Sequence, residues 1–301
     1  MLFLDGVGIG AKDPAVNPLF AARLPALRSL CGGDLPSIRR SRRVSRSGAV
    51  LPLDATLGVP GLPQSGTGQT SLFTGTNGAA LAGKHFGPYP YSTLQPVIAE
   101  RNIFRRLRDA GKSPLFANAF PQRFFDYMDA HRARMSVTTL SCATSGIPLL
   151  RSGDLARGDA VSADITNAGW AGLGYPEIPH IDPAEAGSRL SRLSRKHDFV
   201  LFEYWKTDKA GHAMNFPEAV RVLESFDAML AGILSSLDAG KTLLLLTSDH
   251  GNIEDMTTKS HTRHPVPLFL HGAGAVPFAR RFPPGADLTA VTPLVLEYIG
   301  A

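Results

Sequence analysis

The run Leu243 to Thr247, four leucines and a threonine, stops abruptly at Ser248-Asp249-His250-Gly251, and this junction restricts the fold more than any other part of the chain. A continuous apolar run of that length, closed by a turn signal, fits a strand buried on both faces, which is the habit of parallel sheets covered by helices. Two further runs behave alike: Leu2-Phe3-Leu4 leads into Asp5, and Phe199-Val-Leu-Phe202 is followed shortly by Asp208. Open α/β sheets bind ligands in the crevice beyond the carboxyl ends of their strands. Three such ends, each followed by a carboxylate, predict a single site on a doubly wound, mostly parallel sheet.

Helical stretches alternate with these strands, as an α/β unit requires. The pattern predicts helices over Phe20 to Leu30, Asn102 to Ala110, Ala184 to Lys196 and Pro217 to Leu237, the last capped by Asn215. Ser113 to Phe120 reads as a further strand. From Pro121 to Tyr175 aromatics, arginines and glycines mix without clear periodicity, so residues 121–175 are expected to form a small inserted cap, with 1–120 and 176–301 making the core. Only Met1 to Leu4 precede Asp5, short of the ordinary strand of about 5–6 residues. An apolar N-terminal extension is therefore expected to raise stability and to tighten whatever Asp5 holds.

The residues at the strand ends are metal ligands by type. Neutral imidazole with carboxylate suits Zn²⁺ and Mn²⁺, whereas Mg²⁺ and Ca²⁺ prefer oxygen alone. Asp208 and His212 stand at i and i+4, on one face of a helical turn, and Asp249-His250 follow their strand directly. His261-Thr262-Arg263 adds a third imidazole. A hydroxyl followed by small residues and a helix-compatible stretch, Ser65-Gly-Thr-Gly68-Gln69, supplies a nucleophile whose helix N-terminus is suited to receive phosphate. Between two cations about 3.5–4 Å apart a serine alkoxide becomes accessible near neutral pH.

These motifs, in this order, resemble the alkaline phosphatase superfamily, and within it the branch of cofactor-independent phosphoglycerate mutase and phosphopentomutase. Ser65-x-x-Gly68-Gln69 is similar to that branch's nucleophile motif, and Asp208-x-x-Gly211-His212, Asp249-His250-Gly251-Asn252-x-Glu254 and His261-Thr262-x-x-Pro265-Val266-Pro267 are similar to its metal motifs. The resemblance implies an alkaline phosphatase-like core with two divalent ions, Mn²⁺ or Zn²⁺ with Mg²⁺ as a third candidate. One ion would be held by Asp208, His212 and His261, the other by Asp5, Ser65, Asp249 and His250, and Ser65 would be transiently phosphorylated. The chain departs from the branch at Gln69, where His is usual, and at His264, where the glycerate mutases carry Asn. Neither position is a metal ligand in the family pattern.

Taken together the motifs predict a metal-dependent phosphatase or phosphomutase acting on a small phosphate ester, with no room in the cap for the large inserted domain of phosphoglycerate mutase. A phosphodiesterase or sulfatase-type hydrolase and a non-catalytic metal scaffold are the alternatives. Sulfatases of the superfamily need Pro two residues after the nucleophile, where this chain has Thr67. Lys84 and His85, beyond the serine helix, are substrate-side candidates with Arg123, Arg132 and His264. A net charge of +5 is spread over scattered arginines and one cluster, Arg39 to Arg46, that lacks aromatics for base stacking, so no nucleic-acid partner is expected. Cys31 and Cys142 stand far apart, outside any metal or disulfide spacing. No apolar run approaches the roughly 20 residues of a membrane span. The start of the chain lacks signal-peptide character, and a cytoplasmic location is expected.

Overall fold

The computed structural model describes residues 1–131 and 135–301. Its strands are β1 (Leu2–Leu4), β2 (Arg43–Val44), β3 (Gly48–Leu53), β4 (Pro114–Phe116), β5 (Asn118–Phe120), β6 (Leu150–Arg151), β7 (Val161–Ser162), β8 (Phe199–Tyr204), β9 (Leu243–Thr247) and β10 (Val266–Gly272). Seven form the main sheet in the order β2-β3-β10-β9-β1-β8-β4, and β6-β5-β7 form a small one. β9, β1, β8 and β4 pair in parallel, whereas β10 runs against both β9 and β3, and β2 against β3. Five strands of the main sheet therefore point one way and only β10 and β2 are reversed. The sheet is mostly parallel, as the uninterrupted apolar runs require.

Successive side chains of a strand face opposite ways, and each face is covered by helices. Leu2, Leu4, Val200, Phe202, Leu244 and Leu246 pack with Leu190, Phe226 and Met229 of helices Pro183–Leu193 and Phe216–Ser236. Phe3, Leu201 and Leu245 pack on the other side with Leu72, Phe104 and Leu296 of helices Ser65–Thr74, Ile103–Asp109 and Val291–Ile299. The two helices of the first face touch through glycines: a Cβ on Gly187 would lie 2.0 Å from the Met229 carbonyl oxygen, and one on Gly232 2.1 Å from that of Ala184. Gly232→Val is expected to destabilise the chain by at least about 1–3 kcal/mol, the ordinary cost of overpacking a tight core. A denaturation midpoint unchanged from wild type would show that this helix pair can separate freely.

Two local elements differ from expectation. The helix expected over Phe20 to Leu30 is two short ones, Pro18–Ala21 and Pro25–Leu30, because Pro25 lacks the N–H and disfavours helical backbone at Leu24. The strand expected over Ser113 to Phe120 is divided at Ala117, whose N–H donates to Leu201 O of β8 at 2.8 Å while its carbonyl accepts from Val161 N beside β7 at 2.8 Å. The chain changes sheets at that residue. Asn215 caps the helix Phe216–Ser236, its side chain accepting from Glu218 N. Within 121–175, β6 and β7 join β5 in the small sheet, whose Asn118, Ala119, Phe120 and Ser162 line one cleft with Asp5 and Asp208, but helix Val137–Ser145 buries Val137 and Cys142 among the core of the second face. Cys31 and Cys142 are buried and unpaired. Among the described residues no helix is long and apolar enough to cross a membrane.

Candidate metal centre

The register of the central strands builds the site. Phe3 of β1 is level with Glu203 of β8 and Thr247 of β9, so Asp5, the turn after β8 and Asp249-His250 emerge side by side. Helix Lys206–Ala213 begins in that turn and carries Asp208 and His212 one helical turn apart, with Asp208 Oδ2 3.3 Å from His212 Nε2. Gly6 has φ +70°, and a Cβ there would lie 2.6 Å from Asp208 Oδ1. Glycine thus lets the loop after Asp5 press directly against Asp208.

Two ligand sets result. His261 brings Nε2 to 3.6 Å from Asp208 Oδ1 and 3.0 Å from His212 Nε2. The Nδ1 atoms of His212 and His261 lie 2.8 and 2.7 Å from the carbonyl oxygens of Lys259 and Pro63. A carbonyl only accepts, so each Nδ1 carries a proton and the two Nε2 atoms converge on one point. Burial and the nearby His250 charge lower the pKa of His261 to about 4, which keeps it neutral. When both rings are neutral, lone pairs face to face at 3.0 Å repel unless a cation lies between them, so this set fits a metal. Asn252 Nδ2 donates to Asp208 Oδ1 at 2.8 Å and fixes that carboxylate.

Asp5, Asp249 and His250 form the second set, all buried. His250 Nε2 is 3.2 Å from Asp5 Oδ1, 3.6 Å from Asp249 Oδ2 and hydrogen-bonded to Ser65 Oγ at 2.9 Å. Burial and the Asp249 charge raise Asp5 to about 7, and burial likewise raises Asp249. Burial alone would lower His250, but Asp249 and Asp5 outweigh it and lift its pKa to about 10. A protonated imidazole thus occupies the place of a cation between two acids, and Asp5 Oδ1 still makes no well-formed hydrogen bond. Both the carboxylate-imidazole donors and this orphaned oxygen fit a divalent ion. In each set the ligand atoms all lie within 4.8 Å of one another.

Ser65 is the first residue of the helix Ser65–Thr74, preceded by extended Gln64, so its hydroxyl and the first free N–H groups face the ligand sets. Gly68 lets the helix approach Asp249, whose carbonyl oxygen would be 2.8 Å from a Cβ. Gln69, one of the two departures from the family motif, donates its Nε2 to Asp5 Oδ2 at 3.3 Å and Asp249 Oδ2 at 3.2 Å. An uncharged amide bridges the two acids. His264, the other departure, places Nδ1 3.0 Å from Glu254 Oε1. Buried Glu254 also accepts from Gly8 N, Asn252 N and Thr262 Oγ1, tying three ligand-bearing loops together. Burial would raise this carboxyl, yet the bonds from His264 and Thr262 hold its pKa below the ordinary value.

In front of Ser65 opens a cleft of about 1030 Å³, floored by the strand ends and walled by β5, helix Gln122–His131 and the turn near Trp170. Asp5, Asp208 and Arg123 line it, whereas Lys84, His85 and His264 do not. His85 turns its Nε2 to Val59 O at 3.1 Å, and Lys84 lies over the Phe86 and Tyr91 rings. Arg132 falls outside the described residues. The cleft also exposes one edge of Glu203, which the sequence reading does not single out although it is the only charged residue of β8. Its Oε2 accepts from Thr138 Oγ1 at 2.6 Å, and burial raises its pKa to about 7. A carboxyl raised in the folded state binds more protons there than when unfolded, so stability falls as pH rises from about 4.5 through 7. In chelator-treated protein Glu203→Gln is expected to gain about 3 kcal/mol over wild type above pH 7 and almost nothing at pH 4.5. Parallel pH-stability curves for the two proteins would show Glu203 to be an ordinary carboxylate.

Residues 184–301, which carry five of the six residues of the two ligand sets, match the family described as the Metalloenzyme superfamily. The 2,3-bisphosphoglycerate-independent phosphoglycerate mutase of Methylobacillus flagellatus is 30% identical over 135 residues, 42% of this chain and 26% of that protein. Its counterpart from Yersinia pestis is 32% identical over 132 residues, 41% of this chain and 25% of that protein. The matched stretch thus spans about a quarter of these curated relatives. Over almost the whole length, the PH0037 protein from Pyrococcus horikoshii superposes with TM-score 0.54 at 14% identity, covering 99% of this chain and 97% of that one. The alkaline phosphatase of the Antarctic bacterium TAB5 superposes with TM-score 0.53 at 11% identity and the same coverage. Residues 184–301, which supply most of the ligand sets, are thus similar to the metalloenzyme superfamily, and over nearly its whole length the chain has an alkaline phosphatase-like fold.

Proposed function

We propose that the chain is a metal-dependent phosphatase that passes the phosphoryl group of a phosphate monoester first to Ser65 and then to water. The observation that carries this reading is the placement of Ser65 Oγ at a helix N-terminus, 2.9 Å from His250 Nε2 and beside two carboxylate-imidazole sets. Asp208, His212 and His261 would hold one divalent ion, and Asp5, Asp249 and His250 with Ser65 the other, Mn²⁺ or Zn²⁺ suiting the mixed donors better than Mg²⁺. Divalent ions bound there would stabilise a serine alkoxide and the charge that develops on the phosphoryl oxygens. The chain's own groups do the rest. The free N–H groups of Ser65 and Gly66 at the helix start face the incoming phosphate, that of Thr67 being held by Phe86 O, and the Gln69 amide offsets part of the charge of Asp5 and Asp249. Ser65 gives its hydroxyl proton to solvent, its Oγ forms a bond to phosphorus as the bond to the ester oxygen breaks, and that oxygen takes up a proton from solvent to leave as the alcohol. Water then adds to phosphorus and loses a proton to solvent, the Ser65 oxygen leaves and takes up a proton, and the serine hydroxyl and inorganic phosphate result.

The same chemistry serves a phosphomutase, in which the product stays bound until it recovers the phosphoryl group. The open cleft, with Arg123 and Trp205 at its exposed edge, supports release and hence hydrolysis. Protein reconstituted with Mn²⁺ or Zn²⁺ should bind up to two ions per chain and, quenched during turnover of a phosphomonoester, yield phosphate on Ser65 by mass spectrometry. Phosphate on Thr67 or Thr70, or none while product accumulates, would overturn the assignment of the nucleophile.

A further inference from the structure

We infer that the cleft selects phosphate monoesters carrying a flat aromatic group rather than a small polyol; the inference rests on the phosphoryl-transfer reading above. Of the five aromatic side chains more than a third exposed among the described residues, Tyr89, Tyr91, Tyr127, Trp205 and Tyr298, three line this one cleft: Tyr89 at 39%, Tyr127 at 39% and Trp205 at 41%. Exposed rings gathered around one concavity mark a binding surface more than a chance scatter does. Phe124 and Tyr127 stand at i and i+3 of helix Gln122–His131, hence on one face, and Phe124 stacks on Phe120 with centroids 4.3 Å apart and planes at 28°. That wall is aromatic and lines the same cleft as Ser65.

Several polar groups along the cleft wall point the same way, because each already has a protein partner. Both ends of the Asn118 amide are bound to the backbone of Glu203, at 2.8 and 2.9 Å. Asp164 accepts from Ser162 Oγ, Asn167 N and Gly169 N, and Ser162 Oγ in turn accepts from Trp170 Nε1. Thr139 Oγ1 is bonded to Ser136. A polyol entering here would exchange its hydration for groups largely committed to protein partners, the unpartnered Gln69 Oε1 and Asp5 Oδ1 belonging to the ligand-set end of the cleft, and a site discriminates for hydroxyls only when it offers unpaired partners. A ring surrenders little. The cations remain available: Arg123 and Lys206 line the cleft with no carboxylate within ion-pair distance among the described residues, and Lys209 lies 5.8 Å from the Trp205 ring. Aromatic faces with unneutralised cations fit an anionic ester of a flat group. A volume of about 1030 Å³ also exceeds what a three-carbon phosphate fills.

The test compares adenosine 5′-monophosphate with ribose 5-phosphate, both esters of a primary alcohol, so that the leaving oxygen is alike and the base is the difference. On the Zn²⁺-loaded Ser65→Ala chain, calorimetry should give at least about tenfold tighter binding of the nucleotide, the scale of one ring stacked on an aromatic side chain. Tyr127→Ala or Phe124→Leu in that background should each shrink the preference severalfold, with metal content, to which neither side chain contributes a ligand, as the control. Equal affinities, or tighter binding of the sugar phosphate, would overturn the inference, as would a preference untouched by both substitutions. The wild-type chain separates the two readings: turnover of both esters with equal kcat/KM refutes aromatic selection and leaves phosphoryl transfer standing. Inertness toward both, alongside tighter nucleotide binding, refutes phosphoryl transfer and leaves the aromatic cleft standing.

Discussion

Replacing Ser65 by alanine is expected to reduce turnover by at least about 10³-fold while secondary structure and metal content at saturating metal stay close to wild type and the melting temperature falls by no more than a few degrees. The asymmetry follows from the surroundings of the side chain. Ser65 begins a helix, where alanine is well tolerated, and its Oγ has one protein partner, His250 Nε2 at 2.9 Å. Loss of one such bond costs about 0.5–1.5 kcal/mol, and His250 keeps Asp5 and Asp249 as charge partners. Loss of the nucleophile removes the covalent route altogether. The residual rate is that of water attacking an ester held by the remaining electrostatics, so it lies above the uncatalysed rate. Initial-rate kinetics with metal analysis on the same preparations decide the matter. Retention of activity within tenfold of wild type would mean that Ser65 is not the nucleophile.

What the sequence makes legible here is what depends on short spacing. Leu243 to Thr247 stopping at Asp249-His250 states both a buried strand and its ligand-bearing end, and Asp208 to His212 states a helical pair; β9 and helix Lys206–Ala213 lie where those patterns put them. Asn215 and Pro217 state a helix start in the same local way. Pro25 is equally visible, and an apolar stripe that runs through it still ends as two helices, because one missing N–H outweighs periodicity. The division of residues 113–120 is not legible, since Ala117 changes sheets only by virtue of partners more than forty residues away, Leu201 and Val161. The contacts of Gln69, Glu203 and Glu254 share that limitation: Gln69 and Glu254 are visible as members of their motifs, but what each of the three holds depends on groups brought by other segments, Asp5 and Asp249 for Gln69, Thr138 for Glu203, Gly8 and His264 for Glu254. The charged residue inside the otherwise apolar Phe199–Tyr204 is the one sequence signal that could have drawn notice to Glu203.

Metal removal is expected to destabilise the fold, and by more at alkaline than at acid pH. Without metal, Asp5 holds its proton up to about pH 7 and His250 up to about 10, against 3.8 and 6.5 when unexposed groups are released to solvent. Between those values the folded chain binds more protons than the unfolded chain. Stability of the metal-free protein therefore declines as pH rises through both windows, about 3.8 to 7 for Asp5 and 6.5 to 10 for His250. The loaded protein behaves oppositely, because its ligands must lose those protons to bind, and binding strengthens as pH rises. At metal concentrations a hundredfold above Kd each occupied site adds about 2.7 kcal/mol, so two sites make chelation a shift of many degrees in Tm. The sets should not empty together. Side chains of His212 and Asp208 are 47% and 18% exposed, whereas those of His250 and Asp249 are fully buried, so a chelator reaches the first set sooner. His212→Ala should accordingly abolish the fast-exchanging ion and leave the slow one. Calorimetric melts from pH 5 to 9, with and without chelator, should diverge steadily; curves that coincide at pH 8, or that converge as pH rises, would mean that His250 and the three aspartates do not hold metal.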